Sequence, residues 1–165
     1  MRLCCVLLCA LLLAGCGGKE TFETVADELV VSVMAQPRQI KVELPDDAVA
    51  PVLESGSEQV WMCDDYELII QTRESGDLSE TVQTISGYPK EELTIMETQN
   101  QNVTRYEFVW ASAGEKGDCL GRAVVLDDGN YHYCMSVLRD AADTEKSQIV
   151  WNEVFRSFTL EEGPM

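Results

Sequence analysis

Histidine is almost missing from this chain: its 165 residues include a single one, His132. No Cys-x-x-Cys or His-x-His spacing occurs either, so the seven cysteines do not read as a zinc site and no resident metal is implied. Basic residues are also scarce, 12 Lys and Arg against 29 Asp and Glu, which leaves a formal net charge of -17. Nucleic-acid binding depends on clustered Lys and Arg that release counterions from phosphate, so this composition argues against such a partner. It argues equally against a basic patch that holds an anionic membrane surface. Ser-x-x-Lys, Gly-x-Ser-x-Gly, phosphate-loop and dinucleotide fingerprints are absent, and no cofactor follows from the sequence. Long apolar runs are missing too. The run Leu3 to Leu13 is about eleven residues, short of the roughly 20 that a membrane span needs.

That short run has a different meaning. Met1-Arg2 is a minimal basic start, and Ala14-Gly15 supplies the small side chains a processing peptidase requires, so residues 1–15 read as a signal peptide. Leu13-Ala14-Gly15-Cys16 then resembles the lipobox of bacterial lipoproteins, position by position. The resemblance implies that Cys16 carries a diacylglycerol, that the chain is cut before Cys16, and that the mature protein hangs from the cell membrane on its extracytoplasmic side. Each buried methylene is worth about 0.8 kcal/mol, so two acyl chains hold stably where one binds marginally.

Residues 16–20 form the lipidated cysteine and a short tether, and 21–165 are long enough for one domain with one core. Its acidity keeps it soluble and draws cations or basic partners; the plainer reading is a solvated acidic surface. Phe22, Val25, Ala26, Leu29 and Val33 recur at helical spacing, which predicts a helix over 21–34. Strands are expected at 39–44, 60–63 and 66–73, with a loop over 46–57. Asp77 with Glu80, then Gly87 and Pro89, bracket a second helix from Leu78 to Ser86. Strands follow at 93–98, 104–111, 122–127 and 131–138, with Asp128-Gly129 as a tight hairpin turn. A third helix beginning at Asp143 or Thr144 carries Ile149, Val150, Trp151, Val154 and Phe155 and leads into a closing strand over 157–160. The expected fold class is α+β: a single antiparallel sheet of about six to seven strands covered by N-terminal, middle and C-terminal helices. The late hairpin Val124 to Leu138 and the segment Trp151 to Phe158 make this order similar to the fold shared by the photosystem protein PsbP and the transport factor Mog1. That resemblance implies a non-catalytic binding or assembly domain and carries over no ligand.

The remaining candidate chemistry is sparse. Cys4, Cys5 and Cys9 leave with the leader and Cys16 takes lipid, so Cys63, Cys119 and Cys134 need a structural account. With Asp128-Gly129 as the loop, Cys119 falls about 13 Å from Cys134, too far to bridge. Any disulfide therefore joins Cys63 to Cys119 or Cys134, with Cys63–Cys134 preferred because both lie in expected strands. His132 and Cys134 fall on one face of their strand, close enough for a thiolate pair, but no orienting group or oxyanion hole accompanies them. Asp46-Asp47, Asp64-Asp65 and Asp127-Asp128 lack the spaced oxygens of a calcium loop and read as turn formers. Tyr106, Phe108 and Trp110 alternate as a buried strand face should. Trp61, Trp110, Tyr131 and Tyr133 are the candidate lining of a ligand pocket.

The leading functional expectation is a membrane-anchored lipoprotein whose domain binds an envelope protein or small ligand without catalysis. The alternative is a small envelope hydrolase or thiol redox enzyme using Cys134 and His132, and a third reading is a passive spacer.

Overall fold

In the computed structural model, the residues described are 35–114, 117–141 and 145–161, and they belong to one compact unit, Ala35–Met165. Strand β1 (Ile40–Lys41) is followed by β2 (Leu53–Glu54), β3 (Glu58–Met62) and β4 (Tyr66–Glu74). Helix α1 (Leu78–Ser86) and a 3-10 turn (Lys90–Glu92) lead to β5 (Ile95–Asn100), β6 (Val103–Gly114), β7 (Gly117–Asp127) and β8 (Tyr131–Asp140). Helix α2 (Glu145–Ser157) and β9 (Thr159–Leu160) complete the order. The expected leader, the lipidation site Cys16, the tether and the helix over 21–34 lie outside the described residues.

β8 organises the rest. Tyr133 and Cys134, which are consecutive, are both fully buried, as a strand covered on both faces requires. It pairs with β4 on one side and β7 on the other within a seven-stranded antiparallel sheet of order β2-β3-β4-β8-β7-β6-β5. Leu68, Ile70, Val124, Leu126, Tyr133 and Met135 line one face, where Trp151, Val154 and Phe155 of α2 and then Phe158 pack onto them. Phe108, Trp110, Ala123, Val125 and Cys134 line the other, under Val82 of α1. Burying a large apolar side chain stabilises by roughly 1.5–3 kcal/mol, so Phe155 and Phe158, 1% and 0% exposed, are the residues that fasten the C-terminal end to the sheet.

Helix α1 has the expected bounds and the expected punctuation. Asp77 in extended backbone accepts a hydrogen bond from the Ser79 N–H, and Gly87 ends the helix in the left-handed region at φ 78. The Asp77 carboxyl is held below its ordinary value chiefly by that N–H.

The fold class differs from the expected one. Among the described residues the structure is mostly β, with two helices and two sheets, and not a single sheet covered by helices. The closing strand does not join the main sheet. It pairs with β1, Ile40 against Leu160, in a separate two-stranded sheet. The two helices lie on opposite faces, because the sheet is apolar on both sides and each side needs its own cover. The described architecture does not indicate the PsbP/Mog1 layout.

Two local corrections follow. β2 falls inside the segment expected to be loop, and pairs Leu53 with Val60 through a turn in which Ser55 Oγ accepts from the Glu58 N–H at 3.0 Å. The β7–β8 hairpin turns on Gly129-Asn130, not Asp128-Gly129, with Asp127 opposite His132. Asp128 Oδ1 accepts from the N–H groups of Asn130 and Tyr131, at 2.9 and 2.8 Å, and Gly129 takes the positive φ of 88 at the first central position.

Candidate functional site

The one imidazole is enclosed. His132 is 1% exposed, with Nδ1 2.8 Å from Thr81 Oγ1 of α1 and Nε2 3.3 Å from Ser75 Oγ. Asp127 Oδ2 lies 3.6 Å from Nε2, and the Ser75 hydroxyl donates to Asp127 Oδ1 at 3.2 Å. Burial lowers the His132 pKa, against an opposing pull from Asp127. A neutral ring protonated on Nε2 fits this set: it accepts the Thr81 hydroxyl at Nδ1 and turns its N–H toward Asp127. The cluster pins α1 to the sheet beneath it.

Cys134 shares the His132 face, as the alternation predicts, but no hydrogen bond joins the two. The thiol sits in the second apolar cluster, 1% exposed, and burial pushes it up to about 12, so it is protonated at neutral pH. The expected Cys63–Cys134 disulfide is absent, and all three described cysteines are free thiols. Register explains this. Cys63 lies beside Tyr66, whereas Cys134 pairs with Gln71 five positions further along β4, about 16 Å away and beyond the roughly 7 Å limit between bridged Cα atoms. Cys119 pairs with Asp140, six positions from Cys134 on β8, so those two also stay apart.

The four aromatic candidates do not form one pocket. Trp110 is on the α1 face, while Trp61, Tyr131 and Tyr133 belong to the α2 face. Their tasks are structural. Tyr133 accepts from the Arg38 N–H and donates to Asp128 Oδ2, and burial is the main cause that pushes its phenol up to about 12. The Tyr131 hydroxyl donates to the Ala35 carbonyl at 2.8 Å. Together they tie the segment entering the domain to β8. Trp61 is a buried core residue, and Trp151 meets the Tyr66 ring edge-on at 4.7 Å. The phenol of Tyr66 is raised by burial first, then by Cys63 and Asp47.

A cleft lies elsewhere, on the α2 face toward the β5 edge. It measures about 470 Å³ and opens between α2 and strands β5 to β8, within the size range of ligand sites. Its floor includes Met96, Val109 and Leu120, which are 62%, 54% and 37% exposed. They fall side by side because Met96 pairs with Glu107, and Val109 with Arg122, in adjacent strands.

The polar groups of this wall are held in place. Arg105 Nε reaches Glu107 at 2.7 Å, and Arg122 reaches the other carboxylate oxygen at 3.0 Å. Burial raises the Glu107 pKa, but the two arginines outweigh it and hold the carboxyl below its ordinary value. Arg105 also donates to the Phe155 and Phe158 carbonyls at the end of α2, where a cation complements the helix dipole. The Arg122 guanidinium lies 4.2 Å over the Phe155 ring and donates to Asn152. The wall is thus a preorganised network, two guanidiniums sharing one carboxylate, beside open apolar floor.

None of the floor residues stands out in the linear sequence. The visible alternation is Tyr106, Phe108 and Trp110, the buried face; the cleft uses the intervening positions Glu107 and Val109. A charged residue between two apolar ones on a strand with both faces occupied was the available signal. Among the described residues, no group of three or more His, Cys, Asp and Glu side chains is placed to hold a metal. No protein-family model matches the chain, and no curated protein matches it.

Proposed function

We propose that this chain is a lipid-anchored extracytoplasmic protein whose β-rich domain binds an envelope protein or small ligand without catalysing a reaction. In this reading residues 1–15 are the leader and Cys16 carries the diacylglycerol. The lipobox at Leu13 to Cys16 supports the address. Among the described residues no helix is long and apolar enough to cross a membrane.

The observation that carries the binding reading is the cleft: apolar floor left open beside a fixed polar wall. Binding sites have this composition, with an apolar body and a few placed polar groups. Glu107, Arg122 and Asn152 in its wall are engaged with one another, and the cysteine nearest the lone histidine is buried and protonated. Both features favour holding a ligand over transforming it.

Photo-crosslinking tests this reading. A crosslinking residue in place of Val109 in the anchored chain, irradiated in intact cells, is expected to give a discrete adduct. The same residue at Gln83, exposed on α1 across the sheet, gives none. Equal yields at both positions, or no adduct at Val109, contradict the reading.

A further inference from the structure

The two outer edges of the seven-stranded sheet are treated differently. Edge strands present unpaired N–H and C=O groups, and proteins blunt them with short strands, prolines, lysines or bulges. β2 is blunted: it is two residues long, with Pro51 just before it. β5 is not. Its six residues, Ile95 to Asn100, include no Pro, Lys or Arg, and they pair with β6 in unbroken register from Ile95 opposite Phe108 to Asn100 opposite Val103. Every second residue of such a strand turns its N–H and C=O away from its partner, and from Met96 onward all the side chains are exposed.

β5 also borders the cleft. Met96 is on the cleft face beside Glu107, while Glu97 is on the opposite face beside Tyr106. A strand laid against β5 would put alternate side chains next to Met96 and next to Glu97. Apolar residues suit the first row and cations the second, since directly opposed opposite charges stabilise a strand pair. The net charge of -17 favours a cationic partner over any range that salt leaves unscreened.

We propose that β5 is a strand-addition site for an extended segment of a partner protein that alternates apolar and basic residues. This rests on the binding reading above and extends its cleft to the sheet edge. Main-chain hydrogen bonds to β5 give affinity, and the Met96 and Glu97 rows give selectivity. A second copy of this chain is the less suited occupant. Two-fold antiparallel pairing about Thr98 sets Glu97 against Gln99 of the other copy, with no cation supplied, and brings together two chains of charge -17.

The test uses the purified full chain and a synthetic peptide of four Val-Lys repeats. Peptide binding is followed by fluorescence anisotropy and by amide exchange over residues 95–100. Binding is expected, with slowed exchange in β5. The same peptide methylated at the lysine backbone nitrogens, the ones that would donate to the outward carbonyls of Ile95, Glu97 and Gln99, keeps its charge but cannot pair, and is expected to bind at least tenfold more weakly. Glu97→Lys, at an exposed position, is expected to weaken the Val-Lys peptide at least tenfold and to favour a Val-Glu peptide, with an unchanged melting temperature. Equal binding of the N-methylated peptide overturns the proposal, because attraction is then only electrostatic. So does the absence of binding, or a chain that sediments as a dimer with β5 already protected. A Val109 adduct that survives any of these results leaves the binding reading standing and removes only the strand addition.

Discussion

The indole of Trp110 lies directly over the backbone of Gly121, its cross-strand neighbour, so that any side chain at 121 would overlap the ring. Both residues are buried. Gly121 is therefore required by space, in the strand whose flanking residues Leu120 and Arg122 line the cleft on the other face. Gly121→Ala is expected to cost about 1–3 kcal/mol through overpacking, despite the gain of roughly 0.5–1 kcal/mol that Ala has over Gly within regular structure. Denaturant melts measure this. In a Trp110→Leu background the Ala cost should shrink, and a cycle with no coupling between the two positions would contradict the contact.

His132 makes stability fall on mild acidification. Burial lowers its pKa in the folded chain, so below about 6.5 the unfolded chain takes up protons that the folded chain refuses. Stability is lost as pH falls from that point through the folded value. Asp127 and Asp128 oppose the trend and Arg73 adds to it. A His132→Asn variant should show a shallower loss between roughly pH 6.5 and 5 than the parent chain. Parallel curves would mean that the ring titrates freely.

Thiol reactivity should separate the cysteines. Cys63 and Cys119 are partly exposed and Cys134 is buried with its thiol pushed up to about 12. Under native conditions an alkylating reagent is expected to modify Cys63 and Cys119 first, and Cys134 only on unfolding, as mapped by peptide mass spectrometry. Rapid native labelling of Cys134 would revive a thiol mechanism.

Arg105 couples the sheet to the end of α2. Arg105→Met removes donors from the Phe155 and Phe158 carbonyls and one partner from Glu107. The expected cost is about 2 kcal/mol, nearer the lower end for charge-assisted bonds because the side chain is 21% exposed. Hydrogen exchange should also quicken over the last turn of α2, and an unchanged last turn would show that Arg105 does not hold it.

Much of the fold was legible where local chemistry decides it. Asp77 and Gly87 bracket α1 because caps act within one turn, and the Tyr131 to Ser136 alternation assigns faces because strand geometry has period two. Long-range choices were not legible. Asp128-Gly129 and Gly129-Asn130 are both good turn pairs, and the structure uses Asp128 as the acceptor that closes the turn. Chain order does not say which face a helix covers, so helices on opposite faces were missed. The cleft is the clearest case. Met96, Val109 and Leu120 come from three strands, and only the register of those strands sets them together.

The proposed site matters only if the domain is held at the membrane, and the N-terminus of the mature protein tests that most directly. Intact-mass and peptide mass spectrometry of protein extracted from membranes is expected to find a first residue Cys16 carrying a diacylglycerol, and Cys16→Ser should release the chain from the membrane fraction. A mature N-terminus elsewhere, or a Cys16→Ser chain that still partitions with membranes, contradicts it.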